Sequence, residues 1–148
     1  MIRQLGNLFV LDTKSTTYAF QVLPSGHLEQ LNYGKRIQVQ AEEDAVVLTE
    51  KRLCLAGNAV CYSPEYPALG LEDVCLEMSS HGKGDIRDPF IEVTHADGSY
   101  TSDFLFADAV ISKGKEAYET LPGSYDENGN VEHLCVILKD AQYDLTLE

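Results

Sequence analysis

Basic residues are scarce in this chain, and their scarcity excludes two classes of partner. The 148 residues include 11 Lys and Arg against 24 Asp and Glu, which gives a formal net charge of −13. Because nucleic acids and anionic lipid surfaces are held by positive charge, we expect no nucleic-acid partner and no membrane partner. No apolar run approaches the roughly 18 residues that a membrane-spanning helix needs. The segment Met1–Leu5 also lacks the apolar core of a secretory signal, so we expect a cytoplasmic protein.

Cysteine and histidine are too dispersed to predict a metal site. No two cysteines form a C-x-x-C pair, although a structural zinc site normally draws its ligands from such pairs. The four cysteines are Cys54, Cys61, Cys75 and Cys135. The histidines show neither H-x-H nor H-E-x-x-H spacing. We therefore expect no metal and no cofactor, and thiols that stay reduced.

Recognisable catalytic motifs are also missing. The chain has no G-x-S-x-G segment, which places the nucleophile in many hydrolases. Cys135 and His133 would share one face of a strand, but a nucleophilic site also needs a cleft and a third, orienting group. A buried cysteine beside a surface histidine is the favoured interpretation. Acidic residues are abundant, but a glycosidase needs two carboxylates that are about 5 Å or more apart. The sequence does not show the distance between any two of these side chains.

The pattern that dominates the chain is alternation of apolar and polar residues with a period of two. It is clear in Tyr18–Val22 and complete in Tyr143–Glu148, while residues 134–138 are apolar on both faces. A strand that is apolar on both faces is typical of the inside of a sandwich. Turn residues at Pro24-Ser25-Gly26, Asp97-Gly98 and Asp140-Ala141 predict three antiparallel hairpins. We expect one mainly β domain over residues 1–148, an antiparallel β-sandwich.

One segment favours a helix instead of a strand. Ala41–Leu55 places acidic residues first and basic residues later, an order that suits the helix dipole. Val46 and Val47 weaken this preference, because β-branched side chains lose rotamer freedom in a helix. The expected fold therefore allows one short helix beside the strands.

The polar loop Glu77–Pro89 is the best candidate for a binding site. Gly82 and Gly84 allow tight backbone turns, and Asp85 and Arg87 place opposite charges beside the bend. As a functional feature, this loop would present a carboxylate and a planar guanidinium to a ligand rich in hydroxyl groups. As a structural feature, it is a surface turn held by its own Asp–Arg contact. The residues alone favour the structural interpretation.

Four short segments carry a family resemblance in the same order along the chain. Leu11–Tyr18 resembles an L-x-T-x-x-T-S-Y strand pair, and Leu31–Ile37 resembles a Y-Y-G-K segment. Glu77–Pro89 resembles E-x-P-x-x-G-x-G-D-F-R-x-P, and Ile111–Pro122 resembles I-x-x-G-K followed by Leu-Pro. Together they are similar to the start of family 36 glycoside hydrolases, the bacterial α-galactosidases.

The resemblance implies that this chain is the N-terminal part of a larger enzyme. Such enzymes consist of an N-terminal β-supersandwich, a catalytic (β/α)8 barrel whose two aspartates act with retention, and a small C-terminal β domain. The barrel motifs are not in these 148 residues, so we expect the segment to be inactive alone. The resemblance also implies a homo-oligomer in which a loop of this domain reaches a neighbour's active site. Asp85 and Arg87 would then form part of the rim that holds an α-galactoside of the raffinose or melibiose type.

Two other interpretations stay open at this stage. One is a free-standing carbohydrate-binding β-sandwich, which would use exposed aromatic side chains to stack on sugar rings. The chain has no tryptophan, and many of its tyrosines and phenylalanines belong to the alternating core pattern. The other is a structural oligomerisation domain. The strand at Tyr143–Glu148 would support this interpretation if its edge is unpaired, because an open edge can pair with another copy of the chain.

Overall fold

The computed structural model describes residues 1–49, 61–85, 87–115, 119–120, 122–123, 126 and 128–148. Two antiparallel sheets dominate this part of the chain. The first sheet is a meander whose spatial order follows the sequence: β1 (Ile2–Leu5), β2 (Leu8–Asp12), β3 (Thr16–Val22) and β4 (Leu28–Lys35). Two short strands, β5 (Ser80–His81) and β6 (Gly84–Asp85), form a separate parallel pair. The second main sheet contains β7 (Phe104–Lys113), β8 (Glu132–Asp140) and β9 (Thr146–Leu147).

The two main sheets pack face to face around an aromatic core. Phe9 and Phe20 of the first sheet stack with ring centroids 4.9 Å apart and planes 7° apart. Phe9 also meets Phe106 of the second sheet, with centroids 5.9 Å apart. Leu138 in β8 is buried in the same cluster. The antiparallel β-sandwich predicted from the alternating pattern is therefore confirmed.

The first sheet is covered on its opposite face as well. Leu8 and Val10 point away from the aromatic core and pack against Val39 and Ala45. Because β2 has an apolar layer on each side, its sequence Leu8–Leu11 is a continuous apolar run, as expected for a strand buried on both faces. The segment after β4 thus completes a third layer of the fold.

The predicted helix is present in its first part. A 3-10 turn at Glu42–Asp44 leads into α1 (Ala45–Leu48), which is the only α-helix among the described residues. The Asp44 carboxylate accepts the backbone N–H groups of Gln40 and Ala41, at 2.7 and 3.1 Å, and so fixes the entry into this turn. The later part of the predicted segment, residues 50–55, and Cys54 with it, lie outside the described residues.

Two of the three predicted hairpins are confirmed. The Pro24-Ser25-Gly26 turn joins β3 to β4, and the turn after Asp140 joins β8 to β9. The predicted strand Tyr143–Glu148 is too long, since only Thr146–Leu147 is extended. The reason is local: Asp140 Oδ1 accepts the backbone N–H groups of Gln142 and Tyr143, which holds these residues in the turn.

The third predicted hairpin, around Asp97-Gly98, is wrong. The tight turn exists, because the Gly98 N–H donates to the His95 carbonyl at 2.9 Å. Its flanking residues, however, form no paired strands. On the C-terminal side the chain turns Ser102 and Asp103 inward, and β7 then starts at Phe104 and pairs with β8 instead. Within the described residues, no helix has the length and apolar character to cross a membrane.

Candidate functional site

The loop predicted as a binding site forms a compact turn beside the sandwich. We call residues Ser80–Asp88 the arginine loop. His81 and Asp85 are paired in the short parallel ladder of β5 and β6, and the Ser80 and Lys83 backbones bond to each other at both ends of the turn. Gly82 and Gly84 have φ angles of 75° and 98°, which side chains with a Cβ rarely adopt. The two glycines are therefore required by the backbone path.

Asp85 and Arg87 have different roles in this loop. Asp85 Oδ1 accepts the backbone N–H groups of Arg87 at 2.7 Å and of Asp88 at 3.3 Å, which is the geometry of an Asx turn. Arg87 is exposed, and its guanidinium makes no hydrogen bond or ion pair with any residue that the structure describes. Asp85 thus shapes the loop through the backbone, and Arg87 carries the charge that faces outward. Ile86, between them, lies outside the described residues.

Lys83 turns the opposite way and attaches the loop to the sandwich. Its Nζ atom lies 3.5 Å from Asp103 Oδ2 and 5.1 Å from the centre of the Tyr62 ring. Tyr62 donates its O–H to the same carboxylate oxygen at 2.9 Å. His27 completes the group, with Nε2 3.0 Å from Asp103 Oδ1 and its ring edge against Tyr62. We call these four side chains the Asp103 cluster.

The Asp103 cluster joins elements that are far apart in the sequence. His27 precedes β4, and Asp103 immediately precedes β7. Tyr62 lies between α1 and β5, and Lys83 lies between β5 and β6. The Asp103 backbone is itself fixed, because its N–H donates to Asp140 Oδ2 at 2.9 Å and its carbonyl accepts the Ala141 N–H at 2.9 Å. One buried carboxylate therefore ties both sheets to the arginine loop.

The cluster also sets the protonation of its own groups. Burial by itself would raise the pKa of the Asp103 carboxyl, but hydrogen bonds from His27 and Tyr62 and the nearby charge of Lys83 outweigh it. The pKa of Asp103 is therefore held below its usual value. Burial, together with the bond to this carboxylate, raises the pKa of the Tyr62 hydroxyl. Both pKa shifts favour an ionised Asp103 carboxylate that accepts a hydrogen bond from the protonated Tyr62 hydroxyl at neutral pH.

Ser25 extends the cluster into an arrangement with the connectivity of a hydrolase triad. Its Oγ lies 3.0 Å from His27 Nδ1, and His27 Nε2 faces Asp103. Two features oppose catalysis here. Ser25 is buried, with 7% of its surface exposed, and the neighbouring Gly26 N–H donates to the Leu23 carbonyl, so it is not available to stabilise an oxyanion. The arrangement therefore fastens the β3–β4 turn to the cluster.

A pair of glycines tests how tightly the arginine loop is packed. We expect Gly84→Ala to destabilise the protein by about 2 kcal/mol, because the residue has positive φ and its new Cβ would lie 2.5 Å from Leu76 Cδ1. Gly98→Ala is the matched control, since it has a similar φ of 86° but open space around the added carbon. It should cost about 1 kcal/mol. Urea unfolding of both variants measures the difference, and equal losses would contradict close packing of the loop.

A crevice opens between the two main sheets on another side of the molecule. It has a volume of about 410 Å³. Its walls are mainly aliphatic and aromatic, with two carboxylates at the edge: Ile2, Leu11, Tyr18, Phe20, Leu28, Glu77, Glu132, His133, Leu134 and Val136. Among the described residues, no group of three or more His, Cys, Asp or Glu side chains is placed to hold a metal ion.

Sequence reasoning located the arginine loop but missed its anchor. The predicted contact between Asp85 and Arg87 is present, but it is made by the Arg87 backbone N–H and not by the guanidinium. The His27–Asp103 contact spans 76 positions, and no spacing rule connects residues so far apart. Of the motif Ile111–Pro122, residues 116–118 and 121 lie outside the described residues.

Comparison with known proteins agrees with the fold. The family model described as the glycosyl hydrolase family 36 N-terminal domain matches residues 26–148. This chain belongs to that family. Its similarity to the bifunctional α-galactosidase/sucrose kinase AgaSK of Mediterraneibacter gnavus is 29% identity over 133 residues, or 90% of this chain and 14% of that protein.

Solved structures of the family superpose on nearly the whole chain. The α-galactosidase from Lactobacillus brevis shares 28% identity with a TM-score of 0.80, covering 97% of this chain and 19% of its own. A variant of AgaA from Geobacillus stearothermophilus, solved in complex with raffinose, shares 26% identity with a TM-score of 0.80, covering 94% and 19% respectively. The family 36 chain described here therefore spans about a fifth of the length of these solved relatives.

Proposed function

We propose that this chain is the non-catalytic N-terminal β-sandwich portion of an α-galactosidase that hydrolyses terminal α-galactosides with retention. The observation that carries the proposal is the family match over residues 26–148, together with relatives that are α-galactosidases by name. The raffinose bound to the AgaA variant suggests substrates of the raffinose type. The bond-breaking groups would lie in the remainder of a longer protein.

The described carboxylates support a catalytic site elsewhere. A retaining glycosidase needs two carboxyl groups about 5 Å apart, open to the sugar and to water. Asp103 and Asp140 are buried and engaged with backbone and side-chain donors. Glu77 and Glu132 border the crevice, but its mainly apolar walls would leave most sugar hydroxyls without partners. None of these groups offers a suitable pair.

Within the longer enzyme, the arginine loop would serve the active site of a neighbouring subunit. Arg87 is exposed and faces outward, while Lys83 holds the other side of the loop to Asp103. A planar guanidinium donates several hydrogen bonds in a fixed fork, which suits neighbouring sugar hydroxyls. Asp85 would act as a positioning residue, because it holds the backbone from which Arg87 projects. The substrate-binding pair Asp85 and Arg87 thus divides into a shaping residue and a contacting residue.

The test is substitution of Arg87 in the longer enzyme. We expect Arg87→Ala to lower kcat/KM for raffinose about tenfold, because one charge-assisted contact to the substrate or its leaving group is lost. Arg87→Lys should recover only part of the loss, since an ammonium lacks the planar fork. Arg36→Ala is the control, because Arg36 is also exposed but lies after β4. An Arg87→Ala enzyme with unchanged kcat/KM would contradict the role of the loop.

The proposal includes assembly into a homo-oligomer in the cytoplasm. The strand β9 lies at the edge of its sheet as described, and open edges readily pair with another chain. Light scattering over a range of concentrations tests assembly, and a mass that stays that of the monomer would contradict it. Cell fractionation tests the compartment.

A free-standing carbohydrate-binding module would instead bind galactosides without the rest of the enzyme. Titration calorimetry of this chain with galactosides tests that alternative.

A further inference from the structure

The crevice between the sheets has the size and lining of a small-molecule site. Its volume of about 410 Å³ lies within the range of roughly 300–1,000 Å³ common for ligand pockets. An apolar cavity of about 150 Å³ is already large enough to bind benzene. Leu11 and Leu28 line one wall from the first sheet, and Leu134 and Val136 line the other from the second. These walls favour a ligand whose main part is a hydrocarbon group.

Glu77 gives this apolar crevice one specific polar group. Its backbone N–H donates to the Leu28 carbonyl at 3.0 Å, which fixes the residue beside the start of β4. Its carboxyl group is hydrogen-bonded with Tyr18, but the Oε1 atom is buried and has no partner among the described residues. A buried acceptor without a donor is unfavourable, because its bonds to water have been lost. A ligand that brings a donor would remove this deficit.

The charge of the missing donor follows from the surroundings of Glu77. Burial raises the pKa of its carboxyl group, because the site disfavours the charged form. The other ionic groups at the crevice are already engaged. Glu132 Oε2 accepts the Ile2 N–H at 2.7 Å and lies 3.7 Å from the Met1 ammonium, and His133 bonds with Ser112. No described basic residue pairs with Glu77, so a cationic donor would supply the missing hydrogen bond and stabilise the ionised form that burial alone disfavours.

We propose that the crevice binds a small organic ammonium ion, with its hydrocarbon body between the sheets and its N–H group on Glu77 Oε1. Two observations carry the proposal: an apolar opening of ligand size, and a buried carboxylate oxygen without a donor inside it. A sugar does not fit this site, since few of its hydroxyls would find partners on the aliphatic walls. The inference is independent of the role proposed for the arginine loop.

The experiment compares two probes of nearly the same shape, benzylammonium and benzyl alcohol. Methyl ¹H–¹³C spectra of the chain should show shifts at Leu11, Leu28, Leu134 and Val136 as either probe is added at millimolar concentrations. We expect benzylammonium to bind about tenfold more tightly, because its hydrogen bond to a carboxylate is assisted by charge. In Glu77→Gln this preference should disappear, while binding of benzyl alcohol changes little.

A second variant tests the location of the probe. Val136→Phe fills part of the crevice and should abolish the shifts from both probes, with the folded spectrum otherwise retained. If Glu77→Gln fails to fold, the tenfold preference and the position of the shifts in the unsubstituted chain decide the question. Equal affinity for the two probes, or shifts confined to methyl groups outside the crevice, would overturn the proposal.

Discussion

Replacing Asp103 by alanine is expected to lower the free energy of unfolding by about 3 kcal/mol. The Asp103 carboxylate accepts hydrogen bonds from His27 and Tyr62 and lies 3.5 Å from the Lys83 ammonium. Asp103 is only 8% exposed. Removing one member of a buried ionic group leaves its partners without compensation, which costs more than the loss of a surface ion pair. The midpoint of thermal unfolding should fall by roughly 6–12 °C in a chain of this size.

The pH dependence of the same variant provides a separate check. Asp103 has a lower pKa in the folded protein than its unfolded value of about 3.9, so its ionised form stabilises the fold. This contribution is present above about pH 4 and is lost as the pH falls through the folded pKa. Asp103→Asn should therefore be less stable than the unsubstituted chain at pH 7, with a difference that shrinks in acid.

An exposed aspartate provides the control for both measurements. Asp144 is exposed, and Asp144→Ala should change the stability by no more than about 0.5 kcal/mol. If Asp103→Ala and Asp144→Ala unfolded at the same temperature, the Asp103 cluster would have no structural role. The same result would remove the anchor that is proposed to hold the arginine loop.

Phe9→Ala is expected to cost about 4 kcal/mol in the free energy of unfolding. The side chain is fully buried at 0% exposure, stacks on Phe20 and meets Phe106 of the second sheet. Truncation removes the burial of a large ring and leaves a cavity at the place where the two sheets meet. Chemical denaturation followed by circular dichroism measures the change.

A surface phenylalanine separates this packing effect from the chemistry of the side chain. Phe90 is 72% exposed, so Phe90→Ala should change the stability by no more than about 0.5 kcal/mol. Phe9→Leu retains part of the buried volume and should fall between the two alanine variants. Similar stabilities for Phe9→Ala and Phe90→Ala would show that the aromatic core does not hold the sheets together.

The parts of the fold that could be predicted are those determined by residues close together in the sequence. Residues 134–138 are apolar on both faces, and they lie within β8, whose Leu138 is buried in the core. Pro24-Ser25-Gly26 contains its own turn chemistry, with Gly26 at a φ of 90°, and it joins two paired strands. In both cases the determining contacts lie within a few residues, where periodicity and turn preference act.

The errors arose where side-chain contacts override the pattern of apolar and polar residues. Asp97-Gly98 does form a turn, but Asp103 is drawn inward by His27 and Asp140, so no hairpin follows. Asp140 shortens the predicted final strand by a local contact instead, because its carboxylate accepts the backbone N–H groups of Gln142 and Tyr143. Alternation of polar and apolar residues encodes neither kind of side-chain contact.

The candidate site shows the same division. The glycines and the Asp85–Arg87 pair could be identified from their spacing, because the loop is defined by its own backbone. The inward direction of Lys83 could not, since it depends on Asp103 and Tyr62 from other segments. The family resemblance could be recognised from four short motifs in order, and the family model that matches residues 26–148 establishes the assignment.

The most direct test of the central claim is an assay of this purified chain on an aryl α-galactoside. The sandwich is proposed to have a supporting role, with the reacting carboxylates outside these 148 residues, so release of the aryl group should not exceed the rate in buffer. Turnover by the chain that is lost in Glu77→Gln or Glu132→Gln would contradict the account, because the two carboxylates at the crevice would then be a catalytic pair.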